Sequence, residues 1–82
     1  MTRYSVQCRA IRTGRPDVMI EQYLLARGLV AKVKRCIGLQ VITTIVMAED
    51  EAAAIAKVEE FITGGRYPIE VLMSGAIPLQ HK

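Results

Sequence analysis

The chain has 82 residues, a formal net charge of +3 and 51% hydrophobic residues, with two cysteines, one histidine and no tryptophan. That length allows one domain, 1–82, with a small core, and a chain this apolar is not intrinsically disordered. No apolar run approaches the roughly 20 residues of a membrane span, and the first residues lack the apolar h-region of a secretory signal, so a cytoplasmic location is expected.

Residues 3–12 alternate: Tyr4, Val6, Cys8 and Ala10 fall on one side, Arg3, Ser5, Gln7 and Arg9 on the other. This is the period of a strand with one buried and one wet face. Thr13-Gly14-Arg15-Pro16-Asp17 is dense in turn residues and ends it. In 17–37 a stripe of Met19, Tyr23, Ala26, Val30, Val33 and Ile37 favours a helix interrupted at Gly28 and ending at Gly38, with Lys32, Lys34 and Arg35 compensating its C-terminus. Two alternatives stay open: a helix stopping at Gly28 followed by a strand from Leu29 to Ile37, or a hairpin strand over Val18–Arg27. The first needs a tight turn near Ile37-Gly38-Leu39, for which the residues are poorly suited.

Leu39–Ala48 is β-branched on both faces and reads as a central strand covered on both sides. Glu49-Asp50-Glu51 suits a helix start. The helix that follows places Ala54, Ile55, Val58, Phe61 and Ile62 on one face and closes at Gly64-Gly65. Tyr67–Leu79 is the last strand, with a bulge expected at Gly75 and an end at Pro78. The expected fold is α+β, a three- or four-stranded sheet with two helices on one face. Its alternative is the ferredoxin-like βαββαβ order. The open sheet face would carry arginines interleaved with Ile42, Val46 and Leu72.

Most catalytic templates lack their parts. His81 stands one residue from the last position and is a poor candidate for a triad base. Two separated cysteines and one histidine do not make a metal site, and no metal or other cofactor is expected. Cys8 and Cys36 read as small buried hydrophobes in a reducing compartment, with a disulfide between them left open. Neither G-x-x-x-x-G-K-[ST] nor G-x-G-x-x-G occurs, and Gly64-Gly65-Arg66 reads as a helix stop rather than an anion cradle. A strand nearly free of aromatics argues against base stacking.

The charge is uneven. Residues 1–38 carry eight cations against Asp17 and Glu21, a net +6; residues 39–82 sum to −3. Arg3, Arg9, Arg12 and Arg15 fall within the first fifteen residues with no acid among them. Guanidinium groups make bidentate bonds to carboxylates and phosphates. The four arginines, with Tyr4 and Tyr67 nearby, are therefore the candidate partner-binding residues.

The strand–turn–helix from Ile42 to Phe61, followed by Gly64-Gly65 and a terminal strand, resembles a pattern in small phage-encoded proteins, anti-CRISPR inhibitors among them. The resemblance implies a protein without catalysis that blocks a host nucleoprotein complex by occupying a charged surface. The expected function is thus a non-enzymatic binding protein that docks its arginine-bearing face on a larger protein or nucleoprotein with an acidic surface. The alternatives are a nucleic-acid binder acting through phosphates and a homo-oligomeric structural or ligand-binding module, with a homodimer as its simplest form.

Overall fold

The computed structural model describes residues 1–11, 13–66 and 69–79. Six elements follow in order: β1 (Thr2–Ile11), α1 (Asp17–Ala26), β2 (Ala31–Cys36), β3 (Leu39–Ala48), α2 (Glu51–Thr63) and β4 (Val71–Pro78). The strands form one sheet in the order β2-β3-β1-β4, antiparallel at every junction. Both helices pack on one side. This is the ferredoxin-like arrangement, so the alternative topology holds and the long helix over 17–37 does not.

The reason lies at Gly28. With φ near +97°, it occupies the left-handed region that residues with a Cβ disfavour. Its N–H donates to Leu25 O and the Leu29 N–H to Leu24 O, both at 2.9 Å. That pair of bonds is a Schellman stop, which caps α1 and turns the chain out of it. Gly28 is therefore a terminator rather than a flaw within a longer helix. Downstream, Ala31 and Val33 face the helices while Lys32 and Lys34 face away, a period of two. The Thr44 hydroxyl donates to Val30 O at 2.6 Å and holds the entry to β2.

The β2–β3 hairpin has Ile37 and Gly38 as its two central residues, at φ +31° and +76°. Two positive φ values mark a type I′ turn, whose twist matches the flanking strands. Glycine fits the second position. Isoleucine is an unusual occupant of the first, which is why the sequence favours a helix here and leaves this hairpin as an alternative. Strand pairing on both sides of it prevails.

The core lies between sheet and helices. Val6, Cys8 and Ala10 of β1 and Ile42 and Val46 of β3 meet Ile20 and Leu24 of α1 and Ala54, Val58 and Ile62 of α2. Each of the buried Val, Leu and Ile side chains contributes about 1.5–3 kcal/mol. On α1 the buried face is Ile20 and Leu24, not the expected stripe through Met19, which is exposed. Asp50 caps α2, its carboxylate accepting from the Ala53 N–H at 2.8 Å. Gly64 ends α2, donating to Glu60 O, and Gly65 abuts the Tyr23 hydroxyl so closely that a Cβ there would collide with it.

Gln40 is the buried polar residue that joins the β1–α1 connection to the sheet. Its amide oxygen accepts from the Thr13 N–H (3.1 Å) and hydroxyl (3.0 Å). Its amide nitrogen donates to Arg15 O (3.0 Å) and Asp17 Oδ1 (2.9 Å). Residues 13–17 thereby acquire a fixed course into α1.

Candidate interface on the open sheet face

The face of the sheet away from the helices has no protein layer over it among the described residues. In an antiparallel sheet, residues directly paired across strands share a face. The pairings therefore give the surface row by row. Lys34, Val41, Arg9 and Met73 form one row across all four strands, and Lys32, Thr43, Gln7 and Gly75 the next. Ile45, Ser5 and Ile77 make a third, and Met47 with Arg3 a fourth. Neighbouring strands stand about 4.8 Å apart, which puts Arg9 and Lys34 about 10 Å apart.

Arg3 and Arg9 thus lie where the alternation of β1 places them, both exposed. The other expected site residues do not all join them. Tyr4 is only 8% exposed and packs in the core on the opposite face. Arg15 is half-buried in the β1–α1 connection, its N–H donating to the Thr13 hydroxyl and its carbonyl accepting from Gln40. Arg12 and Tyr67 lie outside the described residues, as does His81.

Lys32 and Lys34 are the residues that sequence reasoning missed. Read as the end of a helix, they compensate its dipole; on β2 they share the open face with Arg3 and Arg9, one strand removed. The signal was present, since the two lysines alternate with Ala31 and Val33. Arg35, on the helix side, pairs with Asp17 at 3.8 Å. Among the described residues Arg9, Lys32 and Lys34 make no ion pair.

The aliphatic members of this face also differ from expectation. Ile42 and Val46 point into the core, and their places are taken by Val41, Ile45 and Met47. The register between β1 and β4 shifts between Arg9 and Ala10, which puts the bulge at Leu72 rather than Gly75. That extra residue sends Val71 to the core side while Met73 and Ile77 join the open face. Strand β3 is central in the order but is covered on one side only.

All eight acidic residues lie outside the four strands. The molecule is therefore polarised, with cations and aliphatics on the sheet face and the acids on the helices and connections. Along β2 and β3 the face forms a depression of about 740 Å³, lined by Ser5, Gln7, Lys32, Lys34, Val41 and Ile45 among others.

The two cysteines are free, and only Cys8 is buried; Cys36 is exposed beside the hairpin turn, against the expectation that both are core residues. Burial pushes the Cys8 thiol up, with the nearby Glu59 carboxylate adding to the effect and a hydrogen bond with Ser74 opposing it. The Ser74 hydroxyl donates to Glu59 at 2.7 Å and stands 3.3 Å from the Cys8 sulfur. A buried thiol held protonated is a poor nucleophile. Among the described residues no group of three or more His, Cys, Asp or Glu could hold a metal, and no helix is long and apolar enough to cross a membrane.

Comparison with protein-family models, with curated proteins and with solved structures finds no match.

Proposed function

We propose that the protein is a non-catalytic binding module that docks its open sheet face on the acidic surface of a larger protein or nucleoprotein. It acts by occupying that surface. A nucleoprotein complex blocked by a phage inhibitor is the partner to which the Ile42–Phe61 resemblance points. The observation that carries the reading is the composition of one face: Arg3, Arg9, Lys32 and Lys34 with no acid, interleaved with Val41, Ile45, Met73 and Ile77.

The aliphatic residues favour a protein surface over a bare phosphate backbone. Phosphodiesters reward the four cations but offer nothing apolar to Ile45, Met47 or Ile77, all exposed. The absence of aromatic residues from these rows removes the stacking platforms that single-stranded nucleic acids use.

The test is capture from the native host with and without nuclease, comparing wild type with the double reversal Arg9→Glu, Lys34→Glu. The reversal is expected to weaken capture by at least about a hundredfold, since like-charge juxtapositions across an interface cost several kcal/mol. Ile45→Ser is expected to weaken it several-fold. A partner that vanishes with nuclease, shows a steep salt dependence and ignores Ile45→Ser indicates phosphate binding instead. Unchanged capture by the double reversal overturns the reading.

A further inference from the structure

The sheet has two outer edges, and the molecule treats them differently. An exposed edge offers unpaired N–H and C=O groups to any strand that approaches, and proteins that stay monomeric guard it with charge, brevity or a covering group. Strand β2 is guarded in all three ways. It has six residues, three of them Lys32, Lys34 and Arg35. The Val33 N–H, which the ladder with β3 leaves unused, is taken by the Glu21 carboxylate of α1 at 2.8 Å.

Among the described residues, strand β4 has no such guard over most of its length. Its eight residues, Val-Leu-Met-Ser-Gly-Ala-Ile-Pro, include no charge. Leu72, Met73 and Ile77 are 57%, 62% and 68% exposed. The bulge at Leu72 and Pro78 confine the irregularities to its two ends.

We propose that β4 pairs antiparallel with β4 of a second copy of this chain, centred near Ser74-Gly75. An uncharged segment is self-complementary in this sense, because a two-fold axis sets each residue against its own strand and no like charges oppose one another. The same pairing on β2 would set lysines and arginine against lysines and arginine. With the axis perpendicular to the sheet, the eight strands run β2-β3-β1-β4-β4-β1-β3-β2. All four helices lie on one side, and the two open faces form one surface with twice the cations. The proposal stands on the edges alone and does not depend on what the open face binds.

The test is light scattering with sedimentation equilibrium on the full chain, from low micromolar to millimolar concentration, alongside concentration-dependent hydrogen exchange. The expected result is a dimer whose β4 amides gain protection as it forms. Gly75→Lys places two ammonium groups near the axis, and a Cβ at Gly75 meets nothing within 4 Å, so the monomer keeps its fold. It is expected to raise the dimer dissociation constant roughly tenfold or more. Leu72→Lys is the second edge variant should the first fail to fold, and Ile45→Lys on the open face is expected to leave the dimer intact. A monomer at every concentration overturns the proposal. So does a dimer lost with Ile45→Lys but indifferent to both edge variants.

Discussion

The Glu21 carboxylate accepts a hydrogen bond from the Val33 N–H at 2.8 Å, tying α1 to the outer edge of β2. One side chain thus fastens a helix to the sheet and closes an edge to outside strands. Glu21→Ala is expected to cost about 1–2 kcal/mol in urea unfolding, as one charge-assisted bond to the backbone is lost. Glu21→Gln keeps an acceptor and is expected to lose less. No loss in either variant would show that the bond contributes nothing.

Ile37 is 99% exposed and holds φ +31° at the tip of the β2–β3 hairpin. A β-branched residue there is strained, whereas Asn-Gly is the preferred pair for this turn. Ile37→Asn is expected to stabilise the protein by about 1 kcal/mol, a rise in Tm of about 4–8 °C for a domain of this size. Calorimetry checks it. A fall in Tm would mean that the turn has another geometry.

Gln40 is 1% exposed and makes four hydrogen bonds to residues 13, 15 and 17. Gln40→Leu preserves volume and removes all four. It is expected to cost about 2–4 kcal/mol, because it leaves part-buried donors and acceptors without partners. Chemical denaturation gives the total. Hydrogen exchange is expected to show the Thr13 amide losing protection before the core does.

Cys36 is expected to react with a disulfide reagent in the native state, and Cys8 only on unfolding, since Cys8 is buried and Cys36 exposed. The raised Cys8 thiol also sets a pH dependence. Above about pH 8.5 the unfolded chain releases this proton while the folded chain retains it. The unfolded state then binds fewer protons, so this contribution is present at neutral pH and declines as pH rises toward the folded value. Cys8→Ala is expected to flatten that alkaline decline. An identical slope in wild type and variant would assign it to other groups.

Several elements were legible without coordinates. The alternation of β1 placed Arg3 and Arg9 on one face and Val6 and Cys8 on the other. The acidic start and Gly-Gly stop of α2 bounded it closely, and the β-branched run of β3 identified a strand. Residues 17–37 were not legible in the same way. A stripe through Met19, Tyr23 and Val33 matches a helix as well as it matches a short helix followed by a strand. What decides between them is a Schellman stop at Gly28, together with hydrogen bonds from Glu21 and Thr44 to β2.

The candidate site divides along the same line. Sequence alone established the uneven charge, the arginines among the first fifteen residues and the face on which Arg3 and Arg9 lie, because these follow from residue identity and local period. Tertiary structure decided that Lys32 and Lys34 share the open face with Arg9, that Tyr4 is core, and that Val41 and Ile45 rather than Ile42 and Val46 face outward. A one-residue change of strand register exchanges the two faces, and register is set by pairing with strands distant in sequence. The polarised surface of this protein is therefore a property of the sheet as a whole, not of any segment within it.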